Sequence, residues 1–230
     1  MVEMSSPVSR QVAGHRHGRV PRAVREQQLL EVAEHVFAKQ GYQGTSIEDI
    51  ARAAGVTRPI VYDHFGSKDG VYLACVRRAR SELERSVADA ASASDDPAQQ
   101  LWAGISAYFE FVERHGRAWD VLFGQGTAVA GPAAKEVFRQ RSATVRVIAD
   151  LLARAAPDVD AEAIEAFAHA LSGSGELLAK WWRVNPHLTR DQVAGYHMAF
   201  AWHGLDRLVA GTAENAPESL NGAASADAAS

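Results

Sequence analysis

Residues 45–68 read TSIEDIARAAGVTRPIVYDHFGSK, and the fold follows from this stretch. Thr45 and Glu48 have capping-box spacing: the hydroxyl accepts from the amide at 48, and the carboxylate accepts from the amide at 45. Ile47, Ile50, Ala51 and Ala54 then share one helical face. Gly55 can take positive φ without a Cβ penalty, so it supplies a tight turn that Val56 plugs into the core. Thr57 caps a second helix over 58–65. Pro59 is tolerated because the first turn needs no amide donors. Val61 and Phe65, four apart, face inward, and Arg58, Ile60, Tyr62, Asp63 and His64 are left outward. Gly66 ends this helix, and Ser67 caps the next, with Lys68 in its first turn. Two short helices joined by a tight turn form the layout of a helix-turn-helix, whose second helix enters a DNA major groove.

Upstream, Leu29, Leu30, Ala33, Val36 and Phe37 make an apolar stripe that predicts a helix over 22–40, closed by Gly41. Downstream, Val71, Tyr72, Cys75, Val76 and Ala79 predict a helix over 68–91, with Arg77, Arg78 and Arg80 on a solvated face. Cys75 on the apolar stripe reads as a buried small hydrophobe, with a redox sensor as the sharper alternative. The composition changes at Ala90–Asp96. Asp96 then caps a helix that opens with Pro97. Further helices are expected at 97–115, 117–123, 133–155, 160–184 and 189–211, the last behind a Thr189–Gln192 capping box. Residues 124–132 read as a loop. No stretch alternates at period two, so no strand is expected and the chain is all-α.

The chain's net charge of −4 is unevenly spread. Residues 1–80 carry a net charge of +4 and the remainder −8. A basic front suits a polyanion and an acidic remainder would stay off it. Residues 1–21 read as a disordered arm, and Arg10, Arg16, Arg19, Arg22 and Arg25 make it basic, suited to phosphates or a minor groove, or simply to solvent. A single cysteine rules out an intrachain disulfide and suits a reducing cytoplasm. Neither a secretory h-region nor an apolar run of membrane-spanning length is present.

Base reading requires side chains that bond base edges, flanked by groups that grip phosphates. Arg58 can reach guanine O6 and N7, while Pro59 and Ile60 offer apolar contact to thymine methyls. Tyr62, His64 and Lys68 can meet phosphates, as can the hydroxyls of Thr45 and Thr57 beside helix N-termini. The plainer alternative is a pair of ordinary core helices.

The combination of Ile50, Ala51, Ala54, Gly55, Val56, Tyr62, His64, Phe65 and Lys68 resembles the DNA-binding domain of TetR-family regulators over residues 22–82. The resemblance implies an all-α homodimer on a palindromic double-stranded operator, repressing until a small ligand binds. It implies phosphate contacts from Tyr62, His64 and Lys68 and base reading from Arg58, Pro59 and Ile60. It further implies a helical ligand-binding and dimerisation domain over 83–212, whose last two long helices form the dimer's four-helix bundle.

In that body Ile164, Phe167, Leu171, Leu178, Val193, Phe200, Leu205 and Leu208 exceed one buried stripe. Ser172-Gly173-Ser174-Gly175 fits either a close helix approach or a kink. Trp102, Tyr108, Phe109, Trp119, Phe123, Phe138 and His169 are candidate lining for a pocket taking an apolar or amphipathic effector, with plain core packing as the alternative. Residues 213–230 read as a disordered tail. No P-loop or His-Glu-x-x-His motif occurs, and His197 and His203 are spaced off one helical face, so neither an enzyme nor a cofactor or metal site is expected. The rival function is a helical dimer that binds protein or membrane instead of DNA.

Overall fold

Ser46 opens the helix-turn-helix. Its hydroxyl accepts from the Asp49 amide at 3.1 Å, and the Asp49 carboxylate accepts from the Ser46 amide at 3.0 Å. The capping box therefore sits one residue beyond the expected Thr45–Glu48 pair. Thr45 faces inward, 3% exposed, and its hydroxyl donates to the Gly41 carbonyl. With an apolar face on the following turn, Thr45 is on the core side of the boundary and Ser46 on the solvent side, where a cap can form.

The computed structural model describes residues 20–123 and 132–209, with the backbone alone for 132–143 and 203–209. The expected basic arm through Arg19, the loop at 124–131, the side chains of Phe138, Leu205 and Leu208, and the tail lie outside what is described. Helix α1 is Arg22–Gly44, interrupted at Gly41, whose φ of 70° and ψ of 169° are not helical. α2 is Ile47–Ala54 and α3 is Arg58–Phe65. Between them Gly55 is left-handed at φ 65°, as the turn requires. α4 is Lys68–Ala91, α5 Pro97–Arg114, α6 Gly116–Phe123, α7 Pro132–Ala155, α8 Ala161–Arg183 and α9 Arg190–Val209. The caps at Ser67, Asp96 and the Thr189–Gln192 pair form as expected. All described secondary structure is helical.

Ile47, Ile50, Ala51 and Ala54 of α2 and Val61 of α3 pack into a core with Leu29, Ala33 and Phe37 of α1 and Val71, Tyr72 and Cys75 of α4. Tyr42 closes one end. Its ring lies 5.1 Å from that of Tyr72, and the Lys68 ammonium sits over it at 4.3 Å. α4 then runs on unbroken to pack against α5, α6 and α7, so the boundary expected at residues 82 and 83 falls inside a continuous helix. Tyr72 of α4 donates to the Val121 carbonyl of α6 at 3.1 Å, and α1 also packs on α6. The helix-turn-helix is thus fastened to the body through buried contacts rather than a linker. Arg80 departs from the expected solvated face. It is 5% exposed and turned toward Thr144 of α7, with Glu84 at 3.9 Å. Arg77, Ser81 and Arg85 keep one face of α4 exposed, whereas Arg80 falls on the side that packs against α7, so its guanidinium is buried with a carboxylate nearby.

Candidate nucleic-acid interface and interhelical cavity

Arg58, Pro59 and Tyr62 are exposed along one side of α3, with Tyr62 44% accessible. Arg58 is not idle: its Nε lies 3.5 Å from the Glu48 carboxylate on α2. Ile60 and His64, expected to point outward, are half-buried and meet the start of α1 beside Val20, Arg22 and Arg25. Burial first, and then the Arg22 guanidinium, lowers the His64 imidazole below its ordinary value. Arg22 donates to the Asp63 carboxylate at 3.1 Å and to its carbonyl at 3.0 Å, which holds the entry of the chain against α3. Thr57 occupies the cap position of α3 without a side-chain cap bond and is exposed. The Lys68 ammonium donates to the Tyr42 carbonyl at 3.0 Å and is half-buried. Thr45, buried as described, presents no surface.

The structure therefore brings Thr57, Arg58, Pro59 and Tyr62 to a common exposed surface. Ile60, His64 and Lys68 border it, and Thr45 lies behind it. The geometry is an exposed helix carrying a guanidinium and a phenol, flanked by cations, and held rigidly by the core beneath.

A second feature is a cavity of about 120 Å³ lined by residues of α4–α9. Of the expected lining, Tyr108 and Phe123 face it. Phe109 and Trp119 are buried in the core instead, Phe109 between Tyr108 and Trp182. Trp102 and His169 are exposed. The remaining wall is aliphatic, including Leu83, Val87, Leu101, Ile105, Val147 and Ile148. One functional candidate was missed: His197, 4% exposed, lines the cavity from α9. A signal existed. Val193, Ala194, His197 and Ala201 share one buried helical face, so an imidazole stands in an apolar stripe.

Ser174 Oγ lies 2.9 Å from His197 Nε2, the spacing of a nucleophile and its base. The rest of a hydrolytic site does not accompany it. The Ser174 hydroxyl bonds the Leu171 carbonyl one turn back, and Nδ1 has no orienting carboxylate. Gly175 allows this approach. A Cβ there would stand 3.1 Å from His197 Cε1, while α8 stays helical throughout, so close approach and not a kink accounts for that glycine. At Gly173 the space is open.

On the outer side of α8 and α9, Leu177 is 68% exposed and Phe200 70%, with Trp181, Val184 and Tyr196 beside them in sequence register. Of the apolar excess expected on these helices, Phe200 is on this surface, whereas Ile164 and Val193 are core and Leu171 lines the cavity. Among the described residues no helix is long and apolar enough to cross a membrane.

Residues 29–75 match the sequence model of the bacterial regulatory proteins of the tetR family, and residues 97–204 match a tetracyclin repressor-like C-terminal domain. The chain belongs to the TetR family. Within the TetR family it is 30% identical over 201 residues to the HTH-type transcriptional activator FasR of Mycolicibacterium smegmatis, covering 86% of this chain and 91% of that protein. It is 24% identical over 190 residues to the HTH-type transcriptional repressor KstR2 of Mycobacterium tuberculosis, covering 80% and 94%. A TetR-like transcriptional regulator from Rhodococcus sp. RHA1 superposes with a TM-score of 0.68 at 31% identity, covering 82% of this chain and 99% of that one. The chain is accordingly a TetR-family DNA-binding transcriptional regulator, and its relatives include both an activator and a repressor.

Proposed function

We propose that this TetR-family regulator binds a palindromic operator as a homodimer and is controlled by an apolar or amphipathic effector held in the α4–α9 cavity. The observation that carries the DNA reading is the exposed Arg58–Tyr62 side of α3 on a rigid support. Arg58 and Pro59, with the accessible part of Ile60, read bases in the major groove. Tyr62 and Thr57 grip phosphates directly, and Lys68 and His64 supply the flank. The dimer reading is supported by the apolar strip on α8 and α9, since a two-fold contact there would cover it and pair two α3 helices on one duplex. The cavity touches α4, which also forms the core of the helix-turn-helix, so occupancy can shift the α3 spacing through one continuous helix. Repression follows where the operator overlaps the promoter and blocks polymerase; an upstream operator allows activation instead.

The test is operator binding by fluorescence anisotropy, using palindromic duplexes from the gene's own upstream region. Arg58→Ala should cost about 1–3 kcal/mol on the preferred operator and relax discrimination at one base pair. Tyr62→Phe should weaken all duplexes alike and leave the salt slope unchanged, because no charge is removed. If wild-type protein at low salt binds its upstream palindrome no better than a scrambled duplex, the reading yields to that of a protein- or membrane-binding helical dimer.

A further inference from the structure

Arg22 and Arg25 read in sequence as the end of a basic arm, but the structure places both in the opening turns of α1. With Val20 they form one wall of an open notch, whose other wall is Pro59, Ile60, Asp63 and His64 of α3. The notch therefore adjoins the residues directed at base edges. It lies on the flank of α3, where a sugar–phosphate backbone passes beside a helix seated in a major groove.

The helix-turn-helix holds each of these arginines in place. Arg22 donates through Nη1 to the Asp63 carboxylate at 3.1 Å and through Nη2 to the Asp63 carbonyl at 3.0 Å. That uses only part of the guanidinium fork, and the side chain stays 62% exposed. Arg25 Nη1 donates to Gln28 Oε1, and Gln28 Nε2 donates in turn to the Ala54 carbonyl at the end of α2 at 3.2 Å. Thus α3 orients one guanidinium and α2 the other. A side chain oriented beforehand loses little rotamer freedom on binding, and the planar fork of arginine matches two phosphate oxygens. Asp63 alone would repel a phosphate, and Arg22 offsets its charge. Among the described lining residues the two guanidinium groups then outnumber the one carboxylate.

We propose that Arg22 and Arg25 hold one phosphate of the operator backbone in this notch. The contact comes from α1 and is independent of base sequence. The inference rests on the α3 reading given above and adds α1 to the elements that grip DNA.

The test is anisotropy with the full chain at several salt concentrations. Arg22→Gln with Arg25→Gln should weaken the preferred operator and a scrambled duplex alike, at least ~10-fold at low salt, and lower the salt slope by about one per bound protomer. Arg22→Lys with Arg25→Lys should retain that slope, since the charges remain. Duplexes carrying one neutral methylphosphonate linkage at a time should include a linkage that costs wild type at least ~5-fold and costs the double glutamine variant nothing. Equal binding by that variant and wild type overturns the inference, as does a scan in which no linkage separates them. So does recovery of wild-type affinity when Asp63→Asn is added to the glutamine pair, because Arg22 then only masks a carboxylate. If discrimination between operator and scrambled duplex collapses in the glutamine pair, the arginines merely brace α3 and the inference fails. In all these cases Arg58→Ala still relaxes discrimination; if it does not, the α3 reading itself is wrong.

Discussion

Glu34 of α1 is 9% exposed, its Oε1 makes no hydrogen bond, and Arg78 approaches it no closer than 3.9 Å. Burial outweighs the Arg78 charge and pushes this carboxyl up to about 7 from an ordinary 4.5. The folded state therefore holds a proton that the unfolded chain releases between pH 4.5 and 7, so stability falls as pH rises through that window and stays reduced above it. Glu34→Gln mimics the protonated form. It should match wild type near pH 4.5 and exceed it by on the order of 1–3 kcal/mol at pH 8, as read from urea unfolding at both pH values. On the opposite face of the same domain, Glu48 faces Arg58 at 3.5 Å with both side chains more than half exposed. In the proposed complex, DNA displaces that contact. Glu48→Gln should tighten operator binding by roughly two- to five-fold, the worth of an exposed ion pair, measured by anisotropy at low salt.

At the scale of the elements, the caps were placed by short-range chemistry and can be tested one at a time. Ser46→Ala removes the α2 cap and should cost about 1 kcal/mol, whereas Glu48→Gln should change stability by less than about 0.5 kcal/mol, because the reciprocal acceptor is Asp49; thermal unfolding of the two variants decides it. Helix extents were largely legible beforehand because each depends on residues within four positions: Gly55 and Gly66 at positive φ, Pro97 and Pro59 in first turns, and Thr189 with Gln192. The Thr45–Ser46 ambiguity was not legible. Both are hydroxyl residues three before an acid, and what separates them is which one the α1 turn buries. Cys75 resolves similarly. It is fully buried, its thiol is turned to the Leu30 carbonyl at 3.8 Å, and burial raises it well above the ordinary range, which fits a small hydrophobe and not an exposed thiolate sensor.

Across the whole molecule, α4 joins the DNA-facing core to the cavity wall, and the Tyr72–Val121 bond and the α1–α6 contact brace that junction. His115 of the α5–α6 turn lies 3.3 Å from Glu82 of α4 close by. In the proposed homodimer the exposed apolar residues of α8 and α9 lie at the interface. Leu177→Glu combined with Phe200→Glu alters two side chains that are already exposed in the protomer, so helical circular dichroism should be unchanged. Sedimentation should shift from dimer to monomer, and affinity for a palindromic operator should fall at least ~10-fold as its half-sites lose their linkage.

By itself the sequence determined the all-α class, the helix-turn-helix and its turn, and the caps at Ser67, Asp96 and Thr189–Gln192, because periodicity and capping act over three or four residues. Only the tertiary structure decided that Thr45 and Arg80 point inward, that Tyr108 and Phe123 line a cavity while Phe109 and Trp119 fill a core, and that His197 is buried against Ser174. Those outcomes depend on which helices meet across separations of twenty residues or more, and an amphipathic pattern names a buried face without naming what it is buried against.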